Sequence, residues 1–308
     1  MNDRKPGSFI LVIVCLVAAG VVLITQVNTL NSEVQASSSS GARAAIIAAA
    51  RMGDAQEISR QIAAKADVNA SVADAESQPG ESGMTPLMFA AQSGKFEAVQ
   101  SLLQAQAKVE ARAKDGRTAL MYAAGWADAA TVQALLDAGA RIDARSEDQW
   151  TALMLAASRG SQESLDALIA AGANMEFKNR WGQTALACAA LVADVEKVRK
   201  LIPGSPINAV DASGMTALNI ACGGAEDSNP VVAALLEAGA DPRIADTDGV
   251  TPLMRAADRG DSARAAMLLK AGAPVDVKDG SGRTAYDWAI ARDDDAGRAV
   301  AELLKAGS

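Results

Sequence analysis

A Thr followed by Ala or Pro, then usually Leu, with a pair of alanines shortly after, recurs seven times: at Thr85, Thr118, Thr151, Thr184, Thr216, Thr251 and Thr284. The intervals are 33, 33, 33, 32, 35 and 33 residues. A fixed period in this range specifies stacked supersecondary units, each touching only its neighbours, and not one closed core. Such an array offers a long surface and no deep reaction pocket.

Within each period the order is constant. A Gly-bearing turn, as in Asp115-Gly116-Arg117 or Asp248-Gly249-Val250, precedes the Thr, and TALMYAA at Thr118–Ala124 shows the short apolar helix that follows. A second apolar segment then ends in Gly-Ala, as in VQALLDAGA at Val132–Ala140 and VAALLEAGA at Val232–Ala240. Leucines at adjacent and third positions mark one buried helix face. Gly139, Gly172, Gly239 and Gly272 suit left-handed helix C-caps. Each unit therefore reads as turn, short helix, longer helix and loop.

These units resemble ankyrin repeats, most closely at Thr85-Pro86-Leu87 and Thr251-Pro252-Leu253. The resemblance implies an all-α ankyrin-repeat solenoid of about eight helix-turn-helix units with β-turn tips over residues 42–308. Residues 42–82 form an N-terminal cap repeat without the Thr motif, 83–283 six full repeats, and 284–308 a C-terminal cap repeat. The family's His position holds Met88, Met121, Met154, Ala187, Asn219, Met254 and Asp287, and the chain has no His. Thioether packing is expected to substitute for the missing imidazole at most of them. Gln149 stands where other turns carry Gly, and Ala127 and Ala193 replace a Gly between helices. Insertions are expected at Ser71–Gly80 and around Gly223–Pro230.

Phe9–Ile24 carries no charge, and with its flanks gives a 20-residue apolar segment over residues 8–27, behind Arg4 and Lys5. That is long enough to span a bilayer as helix. Basic residues before it keep residues 1–7 in the cytoplasm and place the repeats on the other side. A cleaved signal peptide is the alternative, with Val34-Gln35-Ala36 as a cleavage pattern. Ala36 lies 12 positions beyond Ile24, which is long for a peptidase site and favours an uncleaved anchor. Residues 28–41 are Ser-rich and read as a flexible linker. High Ala content suggests a bacterial source, an inner-membrane location and repeats in the periplasm; a eukaryotic type II membrane protein is the alternative source, and a secreted or soluble periplasmic protein the alternative location.

With no His, the common general base and metal ligand is missing. No phosphate-cradling Gly loop, Cys-rich metal spacing or G-x-S-x-G elbow occurs. The Asp293–Asp295 run and the loop aspartates Asp241, Asp246 and Asp248 lack catalytic or EF-hand spacing. No enzyme, cofactor or small-molecule substrate is expected. The net charge of −8 argues against nucleic acid. Cys188 and Cys222 read as small buried hydrophobes.

In arrays resembling ankyrin repeats, one concave face is lined by turn tips and by the exposed ends of the first helices. These positions fall just before each Thr and seven or eight residues after it. They contain Trp126, Trp150 and Trp181, interspersed with Arg112, Arg117, Arg145, Arg159 and Arg180. Trp and Arg dominate interface energetics, so a protein partner is expected at the central repeats. An accessory subunit of a membrane complex, packed through Ala18, Ala19 and Gly20, is a further reading.

Overall fold

The computed structural model describes residues 40–73, 78–224 and 226–306, all helix, turn and loop with no strand among them. The expected spanning segment 8–27, the tail 1–7 and the linker up to residue 39 lie outside the described residues. Among the described residues no helix is long and apolar enough to cross a membrane.

A leading helix pair, α1 (residues 40–52) and α2 (Ala55–Ala63), comes first. Seven pairs follow. The inner helices, each beginning one residue after the repeated Thr, are α3 (Pro86–Ser93), α5 (Ala119–Trp126), α7 (Ala152–Arg159), α9 (Ala185–Leu191), α11 (Ala217–Cys222), α13 (Pro252–Arg259) and α15 (Ala285–Ala291). The outer helices are α4 (Phe96–Gln104), α6 (Ala129–Asp137), α8 (Gln162–Ala170), α10 (Val195–Leu201), α12 (Asn229–Glu237), α14 (Ser262–Lys270) and α16 (Asp295–Ala306). Inner packs on inner and outer on outer, giving two layers around one continuous core. The alanine pairs explain the close stacking: Ala90, Ala91, Ala123, Ala124, Ala156 and Ala157 are fully buried, and no larger side chain would let the inner helices approach so closely.

The Thr starts each inner helix because its hydroxyl accepts an orphan N–H of the first turn, as Thr151 Oγ1 does from Met154 N–H at 3.3 Å. Thr118 is the exception and makes no such bond. In the family's His position the thioethers do more than pack. Thr85 N–H donates to Met88 Sδ, and Thr251 N–H to Met254 Sδ, each at 3.4 Å. Asn219 Oδ1 and Asp287 Oδ2 accept the equivalent bonds at 3.1 and 2.8 Å. The slot thus closes a capping box in four of the seven repeats, while Met121, Met154 and Ala187 close none.

The tips are joined by a ladder of backbone bonds. Lys114 N–H donates to Ser82 O, Glu147 to Asp115 O, Arg180 to Asp148 O, Ala212 to Trp181 O, Thr247 to Ser213 O and Gly280 to Asp248 O, all at 2.8–2.9 Å. Successive tips therefore sit at a fixed spacing along one edge of the array.

Gln149 takes the left-handed conformation (φ 64°) that glycine supplies at the other tips. A side chain there costs about 1–2 kcal/mol, partly offset because glycine would loosen the unfolded chain by ~0.4–1 kcal/mol. Gln149→Gly is expected to stabilise the array by about 0.5–1 kcal/mol. A denaturation midpoint unchanged or lowered relative to wild type would contradict this. Ala193 (φ 56°) bears the same strain, whereas Ala127 escapes it by ending α5 in extended backbone.

A second recurrent device lies at the third residue after each outer-helix N-cap. Ala98, Thr131, Ser164, Lys197, Val231 and Arg264 occupy this slot and all are buried. Three of the four polar ones reach back to carbonyls at the end of the inner helix one repeat earlier, whereas the buried Thr131 Oγ1 has no hydrogen-bond partner among the described residues. Ser164 Oγ donates to Ala127 O at 2.9 Å, and Lys197 Nζ to Gly160 O at 2.7 Å. Arg264 Nη1 donates to Cys222 O at 2.8 Å and Gly224 O at 2.9 Å. Orphan carbonyls at a helix C-terminus, carrying the negative end of the dipole, are thereby satisfied across the repeat boundary. Cys188 and Cys222 are free and buried, and burial pushes both thiols up to about 12.

Candidate concave interaction face

The eight expected residues fall into two groups at opposite ends of the inner helices. At the tips, Trp150 directly precedes Thr151, and Trp181 lies three before Thr184. Their turns are held by hydrogen bonds to a residue at the turn's start. Trp150 N–H donates to Ser146 Oγ at 3.0 Å, and the N–H groups of Trp181 and Gln183 share Asn179 Oδ1, each at 3.0 Å. The ladder brings the two tips together, so the indoles meet edge to face with centroids 6.3 Å apart. Trp150 is half-buried against the core, while Trp181 keeps 47% of its surface exposed. Arg180 lies over Trp181 at 5.6 Å and pairs with Asp148 at 2.7 Å.

At the other end, Trp126 is the last residue of α5, 39% exposed, and packs on Tyr122 with centroids 6.0 Å apart. Arg159, the last residue of α7, lies over the Trp126 ring at 5.1 Å. Burial, followed by the Asp115 carboxylate, pushes the phenol of Tyr122, packed under Trp126, up to about 12. An inner helix of eight residues rises about 12 Å, close to the ~10–12 Å diameter of a helix with side chains. The two groups thus bracket a shallow groove about as wide as a helix.

The remaining arginines are turned toward the array itself. Arg112 Nη1 donates to Gly116 O at 2.8 Å and to Arg145 O at 2.7 Å. Arg145 Nη2 donates to Lys178 O at 2.8 Å, and its guanidinium stacks 5.1 Å from the Phe177 ring. Lys178 Nζ continues the series to Val210 O at 2.7 Å. These cations lock neighbouring loops 32 or 33 residues apart. Arg117 pairs with Asp115 at 3.4 Å.

Two exposed apolar residues escaped the sequence reading. Leu191 and Val192 are 64% and 46% exposed at the end of α9. They stand seven and eight residues past Thr184, on the same ruler that singles out Trp126 past Thr118. The ruler finds them; a search confined to Trp and Arg does not.

Among the described residues, no group of three or more His, Cys, Asp or Glu is arranged to hold a metal ion. Asp241 is paired with Arg243 at 2.8 Å. Asp246 Oδ1 accepts Asp248 N–H and Val250 N–H, while Oδ2 is bonded to Arg255.

A two-layer helical array with paired aromatic and arginine side chains along one side defines a repeat-type interaction module. A sequence-family model described as "Ankyrin repeats (3 copies)" matches residues 20–113, 45–146, 107–179, 153–243 and 223–308, and the chain belongs to the ankyrin-repeat family. It is similar to Ankyrin repeat and SOCS box protein 16 of Mus musculus, 37% identical over 107 residues, covering 33% of this chain and 24% of that protein. The Homo sapiens protein of the same name is 41% identical over 85 residues, covering 26% of this chain and 19% of that protein. The match therefore spans about a quarter or less of these curated relatives.

Proposed function

We propose that this chain is a non-catalytic scaffold that holds a partner protein against the concave face of its central repeats, tethered to a membrane through residues 8–27 with the repeats in the periplasm. The observation that carries the binding reading is the exposure of Trp126 and Trp181, each with an arginine over its ring, on one side of the central repeats. Large exposed aromatics at fixed positions supply contact area with little loss of side-chain freedom on binding. The tether rests on the uncharged stretch Phe9–Ile24 behind Arg4 and Lys5.

Within this reading the arginines divide by what they can offer. Arg159, whose contact is the Trp126 ring, is available to a partner, whereas Arg117 and Arg180 are already paired with Asp115 and Asp148. Arg112 and Arg145 set the spacing of the tips that carry the tryptophans.

The test is a Trp126→Ala, Trp150→Ala, Trp181→Ala triple variant expressed with the native N-terminus. Proteins co-purified from membrane extracts with wild type are expected to be absent from the variant, with an unchanged circular dichroism spectrum. Equal recovery by the two would sink the concave-face reading. Release of the protein by carbonate wash, or a mature chain beginning at Ser37, would sink the tether.

A further inference from the structure

The helix-end bank of the groove differs from the tips in carrying a cation that makes no ion pair among the described residues. Trp126, Arg159, Leu191 and Val192 come from three consecutive repeats and form a stepped ridge, three of whose four members are apolar and exposed. The Arg159 side chain makes no hydrogen bond or ion pair among the described residues; its contact is the Trp126 ring. The other four arginines of the site are tied to Asp115, Asp148 or loop carbonyls. No carboxylate stands seven or eight residues past the Thr in the first four repeats, so Arg159 is the one charge at these positions, while Asp128 and Asp194 just beyond them accept the first-turn N–H groups of α6 and α10.

Arg159 is also held in place before any partner arrives. Its Cγ and Cδ lie 3.6 and 3.7 Å from the point where a Cβ on Gly125 would stand. The missing side chain at Gly125 leaves a shelf along which the Arg159 stem runs from the third repeat onto the second. A guanidinium positioned beside an aromatic ring loses little further freedom when it takes up a carboxylate, and its planar fork matches both oxygens.

Resting on the scaffold reading above, we infer that this ridge receives a protein segment carrying an aspartate or glutamate flanked by apolar side chains. The carboxylate seats on Arg159, and the apolar neighbours cover Trp126, Leu191 and Val192. A local carboxylate suits the site better than an anionic lipid sheet, because the net charge of −8 repels an extended negative surface while acting weakly on one nearby group.

The experiment pans a random peptide library on the immobilised full chain, then measures the winning synthetic peptide against wild type, Arg159→Glu and Arg159→Lys. Enriched peptides are expected to carry an acidic residue next to aliphatic or aromatic ones. Arg159→Glu is expected to weaken binding about 10- to 100-fold, the range of a charge-assisted hydrogen bond. Arg159→Lys falls between, since an ammonium lacks the fork. Arg159 is exposed, so thermal unfolding of the variants should match wild type. Peptides without acidic preference, lost on Trp150→Ala and Trp181→Ala but indifferent to Arg159→Glu, would overturn this inference and leave the scaffold reading standing. No enrichment at all would count against both. A parallel titration uses phosphatidylglycerol–phosphatidylethanolamine vesicles with tryptophan fluorescence as readout. An Arg159-dependent shift there would assign the ridge to lipid and overturn the inference.

Discussion

Arg264→Met is expected to remove about 3–5 kcal/mol of stability, the usual loss when one partner of a buried ion pair is deleted. Arg264 has no exposed surface and sits in α14 among four acceptors from three segments. Its Nε donates to Asn229 Oδ1 at 2.8 Å, its Nη1 to the carbonyls of Cys222 and Gly224, and its Nη2 pairs with Asp261 Oδ2 at 3.3 Å. Asn229 in turn donates to Asp261 Oδ2 at 3.0 Å. Methionine fills much of the same volume, so the loss measures the polar network and not a cavity. It strands two carbonyls at the end of α11 and the Asn229 amide oxygen, and leaves the Asp261 carboxylate, whose side chain is 8% exposed, without its cation. Domains are stable by only ~5–15 kcal/mol in total, so the repeats around residue 225 should open first. Guanidinium denaturation gives the size of the effect, and hydrogen exchange should place lost protection in α11 and α12. A change below about 1 kcal/mol would show that water replaces the guanidinium at little cost.

This network also shows where reading the sequence stops. The 33-residue period reveals the helices, the tips and the insertion at Gly223–Pro230, because each is a local pattern repeated in register. It does not reveal what holds Cys222, Gly224 and Asn229, on either side of residue 225. That is Arg264, which in SARAAMLLK reads as a solvent-facing charge on an amphipathic helix. Only its register with buried Ala98, Thr131 and Ser164 betrays it, and a cation in that column runs against every burial preference. Arg112 and Arg145 illustrate the converse. Their positions beside the tips suit a binding face, but the nearest carbonyls on the next repeat claim their donors. Backbone acceptors are invisible in a sequence, so side-chain type and spacing alone cannot separate a staple from a contact. Leu191 and Val192 were within reach, since burial follows from the ruler and not from residue type.

Cross-repeat bonds matter for function because repeat arrays owe their rigidity to nearest-neighbour interfaces. The groove banks come from three successive units, so Trp126, Arg159, Leu191 and Val192 keep their spacing only while those interfaces hold. The Ser164 and Lys197 bonds to Ala127 O and Gly160 O anchor the ends of the helices that carry this ridge. A binding surface built this way responds to changes at buried positions that touch no partner.

Gly160→Ala is the sharpest case and is expected to destabilise the array by about 3 kcal/mol, at the upper end for overpacking a tight contact. Gly160 has φ −74° and ψ 175°, a conformation any residue adopts, so strain is not the cause. Space is: an added Cβ would stand 2.1 Å from Ala124 O and 2.8 Å from Ala156 Cα, both backbone atoms that cannot swing away. Relief requires α5 and α7 to part, which pulls Gly160 O from the buried Lys197 ammonium and opens the alanine seam between the second and third repeats. Gly172→Ala is the control, because nothing lies within 4 Å of its Cβ position and only the left-handed φ of 84° opposes it. That change should cost about 1–2 kcal/mol. The two variants should also differ in kind. Gly172→Ala leaves the ridge intact, whereas Gly160→Ala separates Trp126 from Arg159 and should increase solvent quenching of tryptophan fluorescence in the folded protein. Equal losses of stability for both, with unchanged fluorescence, would show that the contact between α5 and α7 is loose enough to admit a methyl group.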